Sequence, residues 1–66
     1  MKLIQKSRLV SESQSLTERI VKLQIFLSSD EANELEDKMQ ELLDEQLKLM
    51  KQYRDIINSR ILLMMK

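Results

Sequence analysis

Apolar residues in the C-terminal half of the chain fall on two adjacent faces of a predicted helix. Both sets step by three and four residues, which is the spacing of neighbours on a helix surface. The first face carries Leu42, Leu49, Tyr53 and Ile56, and the second carries Leu43, Leu47, Met50, Ile57 and Ile61. Because a chain of 66 residues offers this helix one antiparallel neighbour, the other face needs a second copy of the chain or another protein.

Arg60 stands in the first of these faces, where the periodicity calls for an apolar residue. A guanidinium group on a buried face needs an anion or a carboxylate, since an unpaired buried charge costs several kcal/mol. We therefore interpret Arg60 as a candidate ligand-binding residue. Gln46 is the other polar member of this face and is expected to form an interhelical hydrogen bond that fixes the register. Tyr53 is expected in the core, with its hydroxyl group at an edge.

The N-terminal half predicts one helix over about residues 2–27. Its apolar seam consists of Leu9, Leu16, Ile20, Leu23 and Leu27, with Ser13 at the polar seam position. The flank beside the seam carries Arg8, Glu12, Ser15, Arg19, Lys22 and Phe26. Two interpretations of its basic residues stay open. They form surface pairs, such as Arg8 with Glu12 at i, i+4, or they meet phosphates where two protomers join.

The segment between the two helices carries two predicted capping boxes. Ser28 with Glu31 predicts a short helix over about residues 30–35, and Asp37 with Gln40 predicts the start of a long helix over about residues 37–65. The predicted fold class is therefore all-α, with one domain over residues 1–66. It is an antiparallel helical hairpin with a short connecting helix, assembled into a homo-oligomeric helical bundle.

Composition supports self-association. Glycine, proline, cysteine and histidine are all absent, so neither a disulfide nor an ordinary zinc site can supplement a core that supplies roughly 3–5 kcal/mol at this length. No apolar run approaches the ~18 residues that span a bilayer. Lys2, Lys6 and Arg8 interrupt the apolar pieces of residues 1–10, which argues against a secretory signal. We expect a cytosolic protein without membrane attachment.

Charge is distributed unevenly along the chain, although the formal net charge is zero. Residues 1–27 hold five basic and two acidic residues, residues 28–46 hold one and eight, and residues 47–66 hold five and one. A hairpin brings the two basic ends together. They are ordinary solvated faces, or they form an electropositive end suited to a small anion. The zero net charge argues against long nucleic acid as a partner.

The chemistry available favours recognition over catalysis. Without histidine, cysteine or glycine there is no catalytic triad, no cysteine nucleophile, no ordinary metal set and no phosphate-cradling loop. We expect no enzyme activity, no metal and no cofactor. Arginine suits phosphate because its planar fork donates two parallel hydrogen bonds, and an oligomer repeats each arginine around an axis. Arg60 repeated in this way suits a ring of phosphates, and Asn58 beside it could contact base edges.

Two segments carry a family resemblance: RLVSESQSLTERIVKLQIFL at 8–27 and LLDEQLKLMKQYRDIINSRI at 42–61. They resemble the small hairpin proteins of tailed phages that include the anti-CBASS cyclic-oligonucleotide sponges. The same hairpin opens certain anti-Thoeris sponges. The resemblance implies a homohexamer, a trimer of dimers, which binds immune second messengers without cleaving them in the host bacterial cytoplasm during infection. Cyclic GMP-AMP and cyclic tri-AMP are examples of such partners.

The resemblance also implies two kinds of site. Cyclic dinucleotides lie between paired protomers, on a basic residue that matches Arg19. Arg8 and Lys22 are further candidates there, and Ile4 and Gln5 occupy the region where the family has an aromatic residue. Cyclic trinucleotides lie on the threefold axis, on an arginine that matches Arg60, with Asn58 as a further candidate. Two rival functions stay open: an adaptor hairpin that binds a host or phage protein, and a nucleic-acid-binding regulator.

Overall fold

The protein is a hairpin of two long helices. The computed structural model describes the backbone of residues 2–65 and the side chains of residues 5–65. Helix α1 spans Lys2–Leu27, a 3-10 turn spans Asp30–Glu34, and helix α2 spans Asp37–Met64. The helices pack antiparallel into a rod of 47 × 15 × 14 Å. The predicted all-α hairpin with a short connection is confirmed, and its short helix is of the 3-10 type.

Helix α1 ends where the backbone leaves helical geometry after Leu27. The amide of Ser28 donates to the carbonyl oxygen of Gln24 at 3.1 Å, and the amide of Ser29 donates to that of Phe26 at 3.0 Å. The hydroxyl group of Ser29 also donates to the Phe26 carbonyl oxygen, at 2.6 Å. These bonds satisfy carbonyl groups that the end of a helix leaves without intrahelical donors.

Neither predicted capping box forms. The residue that precedes the 3-10 turn is Ser29 and not Ser28, and the residue that precedes α2 is Glu36 and not Asp37. Neither Ser29 nor Glu36 makes a side-chain capping hydrogen bond. Gln40 reaches back instead, because its Nε2 atom donates to the carbonyl oxygens of Ala32 at 2.7 Å and Leu35 at 3.2 Å. The side chain of Gln40 therefore links the connection to the first turn of α2.

The interface between the helices contains a small apolar core. Among the described side chains the buried hydrophobic residues are Leu9, Leu16, Ile20, Ala32 and Ile57. Ile20 and Ile57 are 1% and 0% exposed, and they are its largest fully buried members. The half-buried residues Leu47, Met50, Ile61 and Met64 pack against the cluster of Leu9, Leu16, Ile20 and Ile57. The predicted seam of α1 therefore supplies most of the core.

Many large apolar side chains remain exposed in the single chain. They are Val21, Ile25, Met39, Leu42, Leu49, Tyr53, Ile56, Leu62, Leu63 and Met65. All four apolar members of the first predicted face of α2 belong to this set. The prediction that Tyr53 lies in the core is wrong for the single chain, because its side chain is 46% exposed. Large apolar side chains that are exposed side by side are typical of interaction surfaces.

The register between the helices is marked by a polar contact at the edge of the core. The hydroxyl group of Ser13 donates to the Oδ1 atom of Asn58 at 2.7 Å. Within the single chain Gln46 does not form the predicted interhelical hydrogen bond, since its Nε2 atom lies 4.0 Å from the Sδ atom of Met50 in the same helix. Within residues 2–65, neither helix contains a stretch long and apolar enough to cross a membrane.

Candidate ligand-binding site

Two grooves follow one flank of the hairpin, where α1 meets α2. The first, which we call the Tyr53 groove, has a volume of about 370 Å³. It is lined by Ser11, Glu12, Ser15, Leu16, Arg19 and Tyr53. Helix α1 supplies all but one of these residues at positions separated by three and four, so their side chains share a flank. The groove therefore combines one cation, one carboxylate, two hydroxyl groups and one aromatic ring.

The second groove, which we call the Arg60 groove, lies nearer the open end of the hairpin. Its volume is about 310 Å³, and it is lined by Gln5, Arg8, Leu9, Arg60 and Met64. The antiparallel arrangement sets the first turns of α1 beside the last turns of α2, which is why Arg8 and Arg60 share a groove. Two guanidinium groups and one amide thus surround an opening whose other walls are apolar.

A hydrogen bond between the helices forms part of the Tyr53 groove. The hydroxyl group of Tyr53 donates to the Oε1 atom of Glu12. This hydrogen bond, the negative charge of Glu12 and partial desolvation raise the pKa of Tyr53, while the positive charge of Arg60 lowers it. The surface pair between Arg8 and Glu12 was one open interpretation, but the Glu12 carboxylate bonds to Tyr53 instead.

Arg60 lies on an exposed part of α2 in the single chain. Burial of this face, as the periodicity predicts, would therefore require another copy of the chain or another protein. Within residues 5–65 the ion pair formed is between Arg54 and Asp55, at 4.0 Å. No carboxylate of that part of the chain lies within this distance of Arg8 or Arg60 as an ion-pair partner, so both guanidinium groups are available to an anion.

The structure divides the basic residues that the sequence groups on α1. Arg19 lines the Tyr53 groove, whereas Arg8 and Gln5 line the Arg60 groove. Arg8 and Arg19 are separated by eleven positions, which corresponds to roughly 16 Å along a helix. Arg8 and Gln5 were candidates for the dinucleotide site of Arg19. They share a groove instead with Arg60, the candidate for the trinucleotide site.

The remaining predicted site residues lie apart from these linings. Lys22 is exposed on α1 and is not among the residues that line either groove. Asn58 accepts the hydrogen bond from Ser13, and it likewise is not in either lining. The side chain of Ile4 lies outside the described residues.

Sequence reasoning did not assign Glu12 or Tyr53 to the site. A signal was present, because Glu12 lies on the same predicted flank as Arg8 and Arg19. Tyr53 precedes Arg60 by seven residues, or two helical turns, which places both on one face of α2. The contact between Glu12 and Tyr53 depends on the register of the hairpin, which neither helix encodes alone.

The composition of the two grooves suits binding. Among the described residues no group of three or more histidine, cysteine, aspartate or glutamate side chains could hold a metal ion. Both grooves offer charged and hydrogen-bonding side chains beside apolar walls, as small-molecule sites do. Their volumes lie in or near the lower part of the ~300–1,000 Å³ range of such sites.

A family model described as Sequestin matches residues 4–63 of the chain. The match includes nearly all of both helices, the connection and every residue that lines the two grooves except Met64. The name suggests that members sequester a ligand, which is a binding role and not a catalytic one. The comparisons with curated proteins and with solved structures gave no significant match.

Proposed function

The chain belongs to the Sequestin family, and on that premise we propose that it is a phage counter-defence protein. It binds cyclic oligonucleotide second messengers, cyclic dinucleotides and/or trinucleotides, and keeps them from bacterial immune effectors without cleaving them. CBASS signalling is thereby blocked in the cytoplasm of the infected host. The resemblance to anti-CBASS sponges and the sequestering role suggested by the family name support this proposal.

The observation that carries the proposal is the pair of arginines in the Arg60 groove. Arg8 and Arg60 come from opposite ends of the chain and line one opening of about 310 Å³. Two nearby cations repel each other, and a phosphate that lies between them can pair with both. Gln5 in the same lining offers further hydrogen bonds. We assign Gln5 and Arg8 with Arg60 to the trinucleotide site.

The proposed assembly is a homohexamer built as a trimer of dimers. Leu42, Leu49 and Ile56 are exposed along the flank of α2 that also carries Tyr53 and Arg60. Covering this flank with other copies buries apolar surface that the single chain leaves in water. Symmetry then repeats each arginine around an axis, which matches the repeated phosphates of a cyclic ligand.

The proposed dinucleotide site is centred on Arg19 in the Tyr53 groove. The guanidinium group of Arg19 can donate two parallel hydrogen bonds to a phosphate. Lys22 lies one helical turn further along α1 and can extend the positive surface if a second protomer approaches this flank. This site is separate from the Arg60 groove along the hairpin.

Calorimetry with cyclic GMP-AMP and cyclic tri-AMP tests the proposal directly. We expect the wild-type protein to bind at least one of them and to release it unchanged. Arg60→Ala should abolish trinucleotide binding, whereas Arg19→Ala should weaken dinucleotide binding. Arg54→Ala is a matched control, because Arg54 pairs with Asp55 and is not in either lining. A folded oligomer that binds neither ligand would refute the function, and equal losses at both sites from either variant would refute two separate sites.

A second candidate function is that of an adaptor hairpin that binds a host or phage protein. The exposed apolar residues of α2 favour it, since they also suit a different protein as partner. Light scattering of the purified protein separates the two candidates. A sponge should be a higher oligomer without ligand. An adaptor should be a monomer or dimer whose apolar flank stays exposed until it binds the other protein.

A further inference from the structure

The Tyr53 groove contains an aromatic ring and a carboxylate that phosphate binding does not require. The ring of Tyr53 is 46% exposed and lines the same groove as Arg19. An exposed aromatic ring next to a guanidinium group is a typical stacking platform for a nucleic-acid base, because every base has a π face. The groove therefore has a place for a base beside the place for its phosphate.

Glu12 gives this groove an acceptor for the edge of the base. The Oε1 atom of Glu12 accepts the hydroxyl group of Tyr53, which fixes the carboxylate against the wall of the groove. An ionised carboxylate has about four acceptor positions on its two oxygens, so acceptor capacity remains after this bond. Ser11 and Ser15 lie beside Glu12 in the lining and offer hydroxyl groups to other polar atoms of a ligand.

We propose that the Tyr53 groove binds a guanine base of a cyclic dinucleotide, with Tyr53 as the stacking ring, Glu12 as the residue that selects guanine, and Arg19 on the adjoining phosphate. This inference rests on the function proposed above and assigns two residues to it. The N1–H and N2–H groups of guanine are adjacent donors that can both bond to the Glu12 carboxylate. Adenine presents an N1 acceptor on the same edge, which the carboxylate repels. Base preference follows from that difference.

The bond from Tyr53 also keeps Glu12 ready for this role. The hydroxyl group of Tyr53 holds the Oε1 atom of Glu12 in place, and the carboxylate keeps further acceptor positions for guanine. Tyrosine is protonated at physiological pH with its ordinary pKa, and the bond to Glu12 raises the pKa of Tyr53 further, so the hydroxyl group remains a donor. The positions of the Tyr53 ring and the Glu12 carboxylate are thereby coupled. A change at either residue therefore alters how the other contacts the base.

Calorimetry with cyclic di-GMP, cyclic GMP-AMP and cyclic di-AMP measures the preference. We expect wild-type protein to bind the guanine-containing ligands more tightly than cyclic di-AMP. Glu12→Gln should weaken cyclic di-GMP binding by about tenfold or more and reduce the preference over cyclic di-AMP. Glu18→Gln is a matched control on the exposed surface of α1, and it should behave like the wild type.

The stacking role is tested separately. Tyr53→Leu should weaken the binding of all three ligands by about tenfold. Tyr53→Phe should retain the stacking contribution to affinity and lose part of the preference for guanine. Light scattering checks that each variant keeps the wild-type oligomer. In the wild type, ligand should shift the NMR signals of the Tyr53 ring protons, which are readily assigned because the chain has one tyrosine, one phenylalanine and no tryptophan.

The outcomes separate this inference from the function it rests on. Wild-type protein that binds none of the cyclic dinucleotides and no cyclic trinucleotide overturns both. Wild-type protein that binds them, together with an unchanged guanine preference in Glu12→Gln, overturns the assignment of Glu12 and leaves sequestration intact. Unchanged affinity in Tyr53→Leu likewise overturns the stacking role alone.

Discussion

Arg8 in the first turns of α1 and Arg60 near the end of α2 line the same groove. Both side chains are exposed, so their mutual repulsion is weakened by solvent and contributes little to the stability of the chain. Because the proximity of the two arginines does not stabilise the fold, it points to a role in binding. It brings together two cations, which supports the proposal that this groove binds an anion.

Replacing Arg8 should therefore separate stability from binding. We expect Arg8→Gln to change the free energy of unfolding by no more than about 0.5 kcal/mol, as exposed substitutions usually do. Trinucleotide affinity should fall by about tenfold or more, because a charge-assisted hydrogen bond contributes ~1.5–3 kcal/mol. Urea denaturation followed by circular dichroism, together with calorimetry, measures the two effects. Undiminished affinity would exclude Arg8 from the trinucleotide site.

The contact between Ser13 and Asn58 should contribute to stability and not to ligand recognition. Asn58→Ala removes an exposed side-chain hydrogen bond between the helices, and we expect a loss of roughly 0.5–1 kcal/mol. A double-mutant cycle with Ser13→Ala should show that the two losses are coupled. Cyclic tri-AMP affinity in Asn58→Ala should stay near the wild-type value. A large loss of affinity would restore Asn58 as a base-contacting residue.

Sequence periodicity predicts the helices and most of the core, since Leu9, Leu16, Ile20 and Ile57 are apolar at helical spacing. Periodicity does not predict side-chain contacts that depend on the length of a side chain or on the register between the two helices. Gln40 was expected to cap its own helix and instead bonds to the connection.

The candidate site shows the same division between local and long-range information. Arg60 was recognised because its position violates a local pattern, and that signal needs one helix alone. The grouping of Arg8 with Arg60, and of Tyr53 with Glu12, appears only once the two helices are aligned. Side chains on different helices meet at positions that neither periodic pattern specifies.

The exposed flank of α2 should control the oligomeric state. Ile56 is 58% exposed in the single chain, so Ile56→Asp should leave the helicity of the protein nearly unchanged. A carboxylate buried between copies is costly, and we expect the variant to be a smaller oligomer by light scattering. Gln14→Asp introduces the same group at an exposed position of α1 and should retain the wild-type mass. An unchanged mass for Ile56→Asp would exclude this flank from the interface.

The single tyrosine makes the bond between Tyr53 and Glu12 directly measurable. Because Glu12 raises the pKa of Tyr53, the ultraviolet absorbance of tyrosinate should appear at higher pH in the folded protein than in the unfolded chain. The stabilising effect of the bond is then fully present below the unfolded pKa, and it is lost as the pH rises through the folded pKa. Glu12→Gln should move the titration midpoint down towards the ordinary tyrosine value, whereas Arg60→Gln should move it up, since Arg60 lowers this pKa. A midpoint that is the same in all three proteins would show that Glu12 does not hold the Tyr53 hydroxyl group in solution.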